Sequence, residues 1–236
     1  MTGKLIVIEG TDCSGKETQS NLLLKRLNES GIAATKLSFP MYDTPTGKIV
    51  GGPYLGKDYI SEGWFKEGAV NVDPKVASLY YAADRKYNIY KITDLLNTGV
   101  NVILDRYVYS NMAHQAGKIV DVQKRIEMYN WLDMLEFKLL ELPQPDIACF
   151  LHMPLEYAVK LREGRTEKAD EHESNLEHLK LAENAYIELA NRYKWETIEC
   201  VKGNEILSID DIGKQVFDIV TKKLEENNLG GYNGKR

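Results

Sequence analysis

The sequence predicts an α/β fold in which a five-stranded parallel sheet carries helices on both faces. Short apolar runs rich in β-branched residues recur along the chain, and long segments with helical periodicity separate them. The apolar runs are continuous rather than alternating, which is typical of parallel strands that are buried on both faces.

Five segments are predicted as strands because each is short, apolar and β-rich: 4–9, 34–39, 100–104, 146–152 and 195–200. Helical periodicity is clearest over 74–97, 122–142 and 173–193. The first of these helices has Asp73 at its cap position and Pro74 in its first turn. A last helix is expected from Ser208, and residues 51–72, which lack periodicity, are expected to contribute to a substrate rim.

Length and composition bound the class of protein. The chain has 236 residues, of which 43% are hydrophobic, and this is enough for one domain over residues 1–225 with a flexible tail over 226–236. A net charge of −5 argues against a protein that binds nucleic acid polymers. Three widely spaced cysteines and the absence of a leader or membrane-spanning pattern predict a cytoplasmic protein that does not contact the membrane.

A phosphate-binding loop follows the first predicted strand. A strand that leads through a glycine-rich turn into a helix aims backbone N–H groups at one point, and a lysine there adds positive charge for nucleotide phosphates. The predicted ATP-binding residues are Gly10, Thr11, Asp12, Cys13, Ser14, Gly15, Lys16, Glu17 and Thr18.

Glu17 departs from the usual pattern of this loop, in which a serine or threonine hydroxyl binds Mg²⁺. Thr18 cannot replace that hydroxyl, because one helical residue rotates the side chain by about 100°. Either the Glu17 carboxylate contacts the metal, directly or through water, or it is a favourable acid at a helix N-terminus. Both interpretations stay open.

Four further segments are expected to meet in one crevice: 38–42, 79–85, 105–115 and 162–173. Three of them follow predicted strands, and ligands of open parallel sheets bind at the carboxyl ends of the strands.

Together these motifs resemble the thymidylate kinase family from about residue 4 to residue 224. The resemblance is carried by Glu9-Gly10-x-Asp12, by Phe39-Pro40, by Tyr81 with Arg85, and by Asp105-Arg106-Tyr107. It implies a P-loop kinase fold with a short lid over about 162–172. It also implies an enzyme of dTTP synthesis that uses Mg²⁺ and transfers the γ-phosphoryl group of ATP to dTMP, giving dTDP and ADP.

The resemblance implies a role for individual residues. Tyr81 matches the aromatic residue that stacks on thymine, Arg85 the arginine that binds the base, and Arg106 the arginine that holds the acceptor phosphate. Asp12 matches the carboxylate that takes the 3′-hydroxyl, and Asp105 could support Mg²⁺ through water. The predicted dTMP site also includes Phe39, Tyr42, Asn111, His114 and Gln115.

Two departures from the family pattern alter these expectations. Cys13 and Met41-Tyr42 stand where many members have an arginine, so the lid is expected to supply positive charge from Arg162, Arg165 and Lys168. Arg162 and Arg165 are the transition-state candidates, and Arg165 is favoured on resemblance. His114 replaces a tyrosine that lies against C2′ of the sugar, so discrimination against ribonucleotides is weakened, or His114 bonds a neighbouring oxygen.

Two rival functions stay open. The first is another nucleoside or nucleoside monophosphate kinase, in which Glu9 could serve as a general base. The second is a noncatalytic ATP-binding protein in which Glu17 prevents metal use. The family also implies a homodimer, and Val76, Leu79, Ile126, Trp131 and Leu135 are candidates for its interface unless they are core residues. Tyr80, Tyr87 and Tyr90 are expected to pack in the interior.

Overall fold

The computed structural model describes residues 2–163 and 175–230. Five parallel strands form one sheet in the order β2-β3-β1-β4-β5. Their bounds are β1 (Leu5–Gly10), β2 (Ala34–Ser38), β3 (Asn101–Asp105), β4 (Ile147–His152) and β5 (Glu196–Glu199). The predicted α/β class and all five predicted strands are confirmed, with ends that differ by at most one residue.

Strand β1 lies at the centre of the sheet and separates two hydrophobic cores. Leu5 and Val7 point into the core on one face, whereas Ile6 and Ile8 point into the core on the other. All four side chains are almost completely buried, and each such burial stabilises the fold by roughly 1.5–3 kcal/mol. This two-sided burial explains why the strand reads as a continuous apolar run.

Eight α-helices surround the sheet in the part of the chain that the structure describes. They are α1 (Lys16–Glu29), α2 (Pro45–Ile49), α3 (Pro74–Asn97), α4 (Val108–Asn111), α5 (Val122–Asp133), α6 (Leu155–Glu163), α7 (Leu176–Tyr193) and α8 (Ile209–Gly230). Helices α2, α4 and α5 continue into π-helical turns at Val50–Tyr54, Met112–Ala116 and Met134–Leu139. A short 3₁₀ turn lies at Ala69–Asn71, and β6 (Val201–Lys202) pairs with β7 (Glu205–Ile206) in a hairpin that the sequence did not predict.

Helix α3 has the bounds that its sequence predicts. The Asp73 carboxylate accepts hydrogen bonds from the backbone N–H groups of Lys75, at 2.9 Å, and Val76, at 3.1 Å. Pro74 occupies the first turn, where a missing N–H group has no cost.

The prediction of a single helix over 122–142 was wrong. The helix changes to a wider π-helical turn at Met134 and ends at Leu139. The extra residue in such a turn shifts the faces of the helix, and here it accompanies the burial of Glu136 against Arg85. At the C-terminus, α8 continues to Gly230, past the tail boundary expected at residue 226.

The expectation that Tyr87 and Tyr90 pack in the interior was also wrong. Their exposed fractions are 52% and 54%, and Val76 and Leu79 on the same helix are exposed as well. Tyr80 does pack, stacking against Tyr54 at 6.0 Å between ring centroids. Helix α3 therefore carries an apolar stripe that no described residue covers.

Trp131 and Leu135, by contrast, pack against the larger core, and Ile126 is half-buried. Across residues 2–163 and 175–230, none of the helices combines the length and apolar character needed to cross a membrane.

Candidate active site

The segments that follow β1, β2 and β3 enclose a cavity of about 290 Å³. Every residue predicted for the dTMP site lines it: Asp12, Phe39, Tyr42, Tyr81, Arg85, Arg106, Asn111, His114 and Gln115. Residues from the phosphate loop and from three of the four predicted segments, 38–42, 79–85 and 105–115, therefore meet in one crevice at the carboxyl ends of the strands, whereas no described residue of 162–173 lines it.

The phosphate loop connects β1 to α1 and has the backbone conformation that its glycines allow. Gly15 has a φ of 83°, in the left-handed region that glycine adopts without strain. A Cβ atom on Gly10 would lie 2.8 Å from the backbone oxygen of Leu151, so only glycine fits against β4. These two positions let the loop turn tightly beside the sheet.

Lys16 is buried beneath this loop, and its ammonium group donates to the backbone oxygen of Thr11 at 2.6 Å. Burial lowers the pKa of Lys16 to about 8, assisted by the positive charge of Arg106 and opposed by Asp12, Asp105 and Glu9. An anion bound at the loop would compensate for this loss of solvation. The buried ammonium group of Lys16 is therefore a candidate partner for a bound phosphate.

Glu17 is exposed in the first turn of α1 and lines the cavity that also holds Arg106. Thr18 is exposed but does not line the cavity, in agreement with the argument that it cannot replace the usual hydroxyl. Asp105 lies at the end of β3 and is largely buried. Its negative charge acts to raise the pKa of Lys16, against the effect of burial. Glu17 and Asp105 therefore place carboxylate oxygens, which Mg²⁺ prefers, beside the phosphate loop.

Arg106 follows β3 with a φ of 67° and points toward the phosphate loop. Its guanidinium group forms an ion pair with Asp12 and donates to Ser110 Oγ at 3.3 Å. Burial alone would lower the pKa of Arg106, but Asp12, together with Tyr186, Asp105 and Glu9, holds it well above its ordinary value. The arginine is permanently charged and oriented before any ligand binds.

Glu9 holds the segment that carries Arg106. Its carboxylate accepts from the backbone N–H groups of Tyr107, at 2.9 Å, and Ser110, at 3.2 Å, and from the Ser110 hydroxyl at 2.6 Å. Tyr186 from α7 contacts the same carboxylate at 3.3 Å. Complete burial raises the pKa of Glu9 despite these hydrogen bonds. The sequence singled out Glu9 within a motif but did not predict this positioning role.

Aromatic side chains form the far wall of the cavity. The Tyr81 ring packs edge-on against Tyr54 at 5.7 Å, and Phe39 contacts Tyr107 at 6.0 Å between centroids. Lys57, from the segment without periodicity, lies 5.4 Å from the centre of the Tyr42 ring and also lines the cavity. The sequence did not identify Lys57, because no motif surrounds it.

Arg85 is buried and forms a two-pronged ion pair with Glu136 from the turn after α5. The Asn111 side-chain amide donates to the same carboxylate at 3.0 Å. Gln115 is completely buried, and neither polar atom of its amide has a hydrogen-bond partner among the described residues. Glu136 was missed by sequence reasoning, since nothing near it in the chain indicates a buried carboxylate.

His114 contacts a second histidine that the sequence also missed. Its Nδ1 lies 3.2 Å from Nε2 of His178, at the start of α7, and its Nε2 lies 3.5 Å from Arg106. Burial, His178 and Arg106 hold the pKa of His114 well below its ordinary value, although Asp12 acts in the opposite direction. The imidazole is therefore neutral at pH 7. Because Arg106 can only donate, Nε2 accepts and Nδ1 carries the proton.

Of the lid arginines predicted to act in the transition state, the described residues include Arg162. Arg162, in the last turn of α6, lines a small recess together with Asp12 and Cys13. Arg165 and Lys168, together with most of the predicted lid, lie outside the described residues.

Comparisons with known proteins agree with this geometry. The sequence model of the family described as Thymidylate kinase matches residues 8–208. A thymidylate kinase of Schizosaccharomyces pombe is 30% identical, covering 93% of this chain and 92% of that protein. A thymidylate kinase of Dictyostelium discoideum is 31% identical, with coverages of 94% and 88%.

A solved structure of thymidylate kinase from Candida albicans superposes with a TM-score of 0.70 at 26% identity, covering 94% of this chain and 92% of the other. With its P-loop kinase fold and a match over most of its length, the chain belongs to the thymidylate kinase family.

Proposed function

We propose that this protein transfers the γ-phosphoryl group of ATP to the 5′-phosphate of dTMP, giving dTDP and ADP. The observation that carries the proposal is the cavity itself, in which Arg106 lies beside the phosphate loop and Tyr81 lines the same space. An arginine suited to an acceptor phosphate and a flat ring suited to a base thus belong to one site. The chain acts as a single kinase domain.

The donor nucleotide binds at residues 10–18. Lys16 and the amides of the loop neutralise its phosphates, in the manner of other helix N-termini that bind anions. Mg²⁺ in kinases usually keeps several water ligands and binds one or two protein carboxylates together with the phosphates. Glu17 and Asp105 could supply these carboxylates. When bound, the metal ion neutralises charge that develops on the transferred group.

The acceptor phosphate binds to Arg106, whose planar guanidinium group can hold two of its oxygens at once. A phosphate monoester is largely a dianion at neutral pH, so one of its oxygens can attack the γ-phosphorus without a strong general base. Positioning therefore dominates the chemistry. Asp12 takes the 3′-hydroxyl and at the same time keeps Arg106 in place.

The base binds between the aromatic and polar walls of the cavity. Tyr81 stacks on the thymine ring, and Phe39 and Tyr42 close the adjoining surface. Arg85, Asn111 and Gln115 hydrogen-bond the edge of the base, while His114 lies near the sugar and influences selectivity for deoxyribose. Arg162 and Arg165 are the residues proposed to supply positive charge to the transferred phosphoryl group.

A nucleoside kinase is less well supported. A nucleoside acceptor needs a general base, yet the carboxylate of Glu9 is engaged by Tyr107, Ser110 and Tyr186 and is completely buried. It serves to hold the backbone of the segment after β3. Arg106 also favours an acceptor that already carries a phosphate.

An acceptor panel tests the proposal. ADP release is measured in a coupled assay with dTMP, dUMP, thymidine, dGMP and ribothymidine monophosphate, and dTMP is expected to have the highest kcat/KM. Preference for thymidine would favour the nucleoside kinase, and ATP binding without turnover of any acceptor would favour the noncatalytic protein.

The protein is further proposed to be a cytoplasmic homodimer. Val76, Leu79, Tyr87 and Tyr90 form the apolar stripe along α3, and a second copy of the chain would cover it. Sedimentation of the wild type and of Tyr87→Glu should give a dimer and a monomer, respectively. The cytoplasmic location rests on three cysteines that form no disulfide.

A further inference from the structure

Glu136 is a fully buried carboxylate at which three helical segments meet. It lies in the π-helical turn after α5 and accepts hydrogen bonds from Arg85 on α3 and Asn111 on α4. The Arg85 Nε atom is 2.6 Å from one carboxylate oxygen, and Nη2 bonds the other. Burial alone would lower the pKa of Arg85, but Glu136, with smaller contributions from Tyr107 and Asp84, raises it above its ordinary value. Arg85 is therefore charged, and both Glu136 oxygens accept hydrogen bonds from it.

This carboxylate determines which way the Asn111 amide points. The amide nitrogen lies 3.0 Å from Glu136 and 3.3 Å from the backbone oxygen of Ser78. Both of those neighbours can only accept hydrogen bonds, so the nitrogen must face them and the oxygen must face away. The Asn111 Oδ1 atom is buried and has no hydrogen-bond partner among the described residues.

Arg85 has more hydrogen-bond donors than its contacts with Glu136 use. A guanidinium group has five N–H bonds, and the described contacts with Glu136 use the Nε–H and one hydrogen of Nη2. Arg85 and Asn111 both line the cavity, so a base bound there would meet guanidinium donors beside an amide acceptor. A buried acceptor without a partner is costly, and a ligand that donates to it removes that cost.

We propose that Glu136 is a positioning residue that sets this order of donor and acceptor and so makes the site select bases with a carbonyl next to a ring N–H. The inference rests on the proposed function. Thymine presents its 4-carbonyl and N3–H, which complement Arg85 and Asn111. Cytosine presents the reverse order, an amino group beside a ring nitrogen that carries no hydrogen. Its amino group would face the donors of Arg85, and its ring nitrogen would face the Asn111 oxygen.

Stability alone is a weak reason for such a pair, because apolar residues often replace buried ion pairs without loss. The orientation of Asn111 is a consequence that an apolar replacement could not produce. Without an acceptor-only neighbour at position 136, the amide could turn its nitrogen toward the base.

Glu136→Gln tests the proposal with two acceptors that share the methyl group and differ only at the edge in question, dTMP and 5-methyl-dCMP. A glutamine side chain has only one oxygen and cannot accept hydrogen bonds from both nitrogens of Arg85. Where the glutamine amide nitrogen faces Asn111, the Asn111 amide rotates so that its oxygen accepts from that nitrogen. We expect the ratio of kcat/KM for dTMP to that for 5-methyl-dCMP to fall at least about tenfold. A purely structural role would lower both values and leave the ratio unchanged, which would overturn the proposal.

Two control variants accompany this measurement. Glu136→Asp keeps an acceptor-only group and should retain the ratio even if activity falls. Glu188→Gln breaks a similar two-pronged pair with Arg125 away from the cavity and should change neither value. If Glu136→Gln does not fold, Asn111→Ala removes the acceptor while keeping the ion pair, and an unchanged ratio there would equally overturn the proposal. Turnover of dTMP by the wild type is measured first. A wild type that does not phosphorylate dTMP would contradict the proposed function, whereas an unchanged ratio in an active variant would contradict only the role of Glu136.

Discussion

The two ends of the cavity are built in different ways. At the phosphate end, Lys16 bonds Thr11 five residues away, and Arg106 reaches Asp12 because β1 and β3 are paired neighbours in the sheet. At the base end, Arg85 and Glu136 are 51 residues apart and lie on elements that share no strand pairing. One end depends on backbone geometry, and the other depends on side chains brought together by helix packing.

This difference separates the expected effects of substitutions. In the proposed reaction, groups at the phosphate end would surround the atoms that react, so their loss should mainly lower kcat. Groups at the base end would hold a part of the acceptor that does not change during the reaction, so their loss should mainly raise KM. Substitutions at the two ends test this separation.

Lys16→Ala and Arg106→Ala should each lower kcat by about 10³-fold or more, because each removes a positive charge that is proposed to bind a phosphate. Steady-state kinetics at saturating ATP and dTMP would measure the loss. Lys36→Ala is the control, since that lysine donates to Asn21 at the surface and should have no effect. Near-normal turnover in Lys16→Ala would show that the loop does not serve the transferred phosphoryl group.

Tyr81→Ala should raise the KM for dTMP by about five- to 150-fold with little change in kcat, since stacking of a base on an aromatic ring contributes about 1–3 kcal/mol. Tyr81→Phe keeps the flat face and should remain close to the wild type. Initial rates over a range of dTMP concentrations separate the two constants. A fall in kcat without a rise in KM would contradict the division between the two ends.

The contrast also explains how much could be read from the sequence. The strands, α3 and the phosphate loop were predictable because burial and capping leave periodic or contiguous patterns, as at Asp73-Pro74. Asp105-Arg106 was likewise recognisable beside its strand. These features depend on residues that are close together in the chain.

Glu136, His178 and Lys57 were not predictable for the opposite reason. Each acts through partners that are distant in sequence, and Glu136 lies in a π-helical turn where a regular helix was expected. A buried glutamate within an amphipathic pattern looks like a surface residue until its arginine partner is seen. The opposite error was made for Tyr87 and Tyr90, which were expected to be buried and are exposed. Aromatic residues at helical spacing indicate an apolar face but not whether other residues of the chain cover it.

The pKa of Lys16 predicts how ATP binding depends on pH. The value of about 8 lies below the ordinary 10.5, so the free protein loses this charge as pH rises through 8. Bound phosphates favour the charged form, and ATP binding therefore takes up a proton above that pH. Between pH 7 and 9.5 the Kd for ATP should rise by at most about thirtyfold.

Titration calorimetry across this range would measure the effect. The ATP phosphates are largely ionised at pH 7 and above, so their charge changes little over this range. Lys16→Arg is the matched control, because arginine stays protonated and the slope should disappear. An equal slope in wild type and Lys16→Arg would assign the titration to another group.

Glu17→Ser is expected to have the smallest effect, and it separates the two roles that the sequence left open for this residue. Glu17 lines the cavity with Arg106, so its carboxylate can reach a metal ion held by the donor phosphates. If it does, serine restores the usual hydroxyl ligand and should change the Mg²⁺ and Mn²⁺ concentrations for half-maximal activity by a few-fold. If Glu17 only favours the helix N-terminus, both titrations stay unchanged and the variant loses about 0.3–1 kcal/mol of stability instead. Metal titrations and thermal unfolding of the same variant therefore distinguish a group that belongs to the phosphate end from one that supports α1.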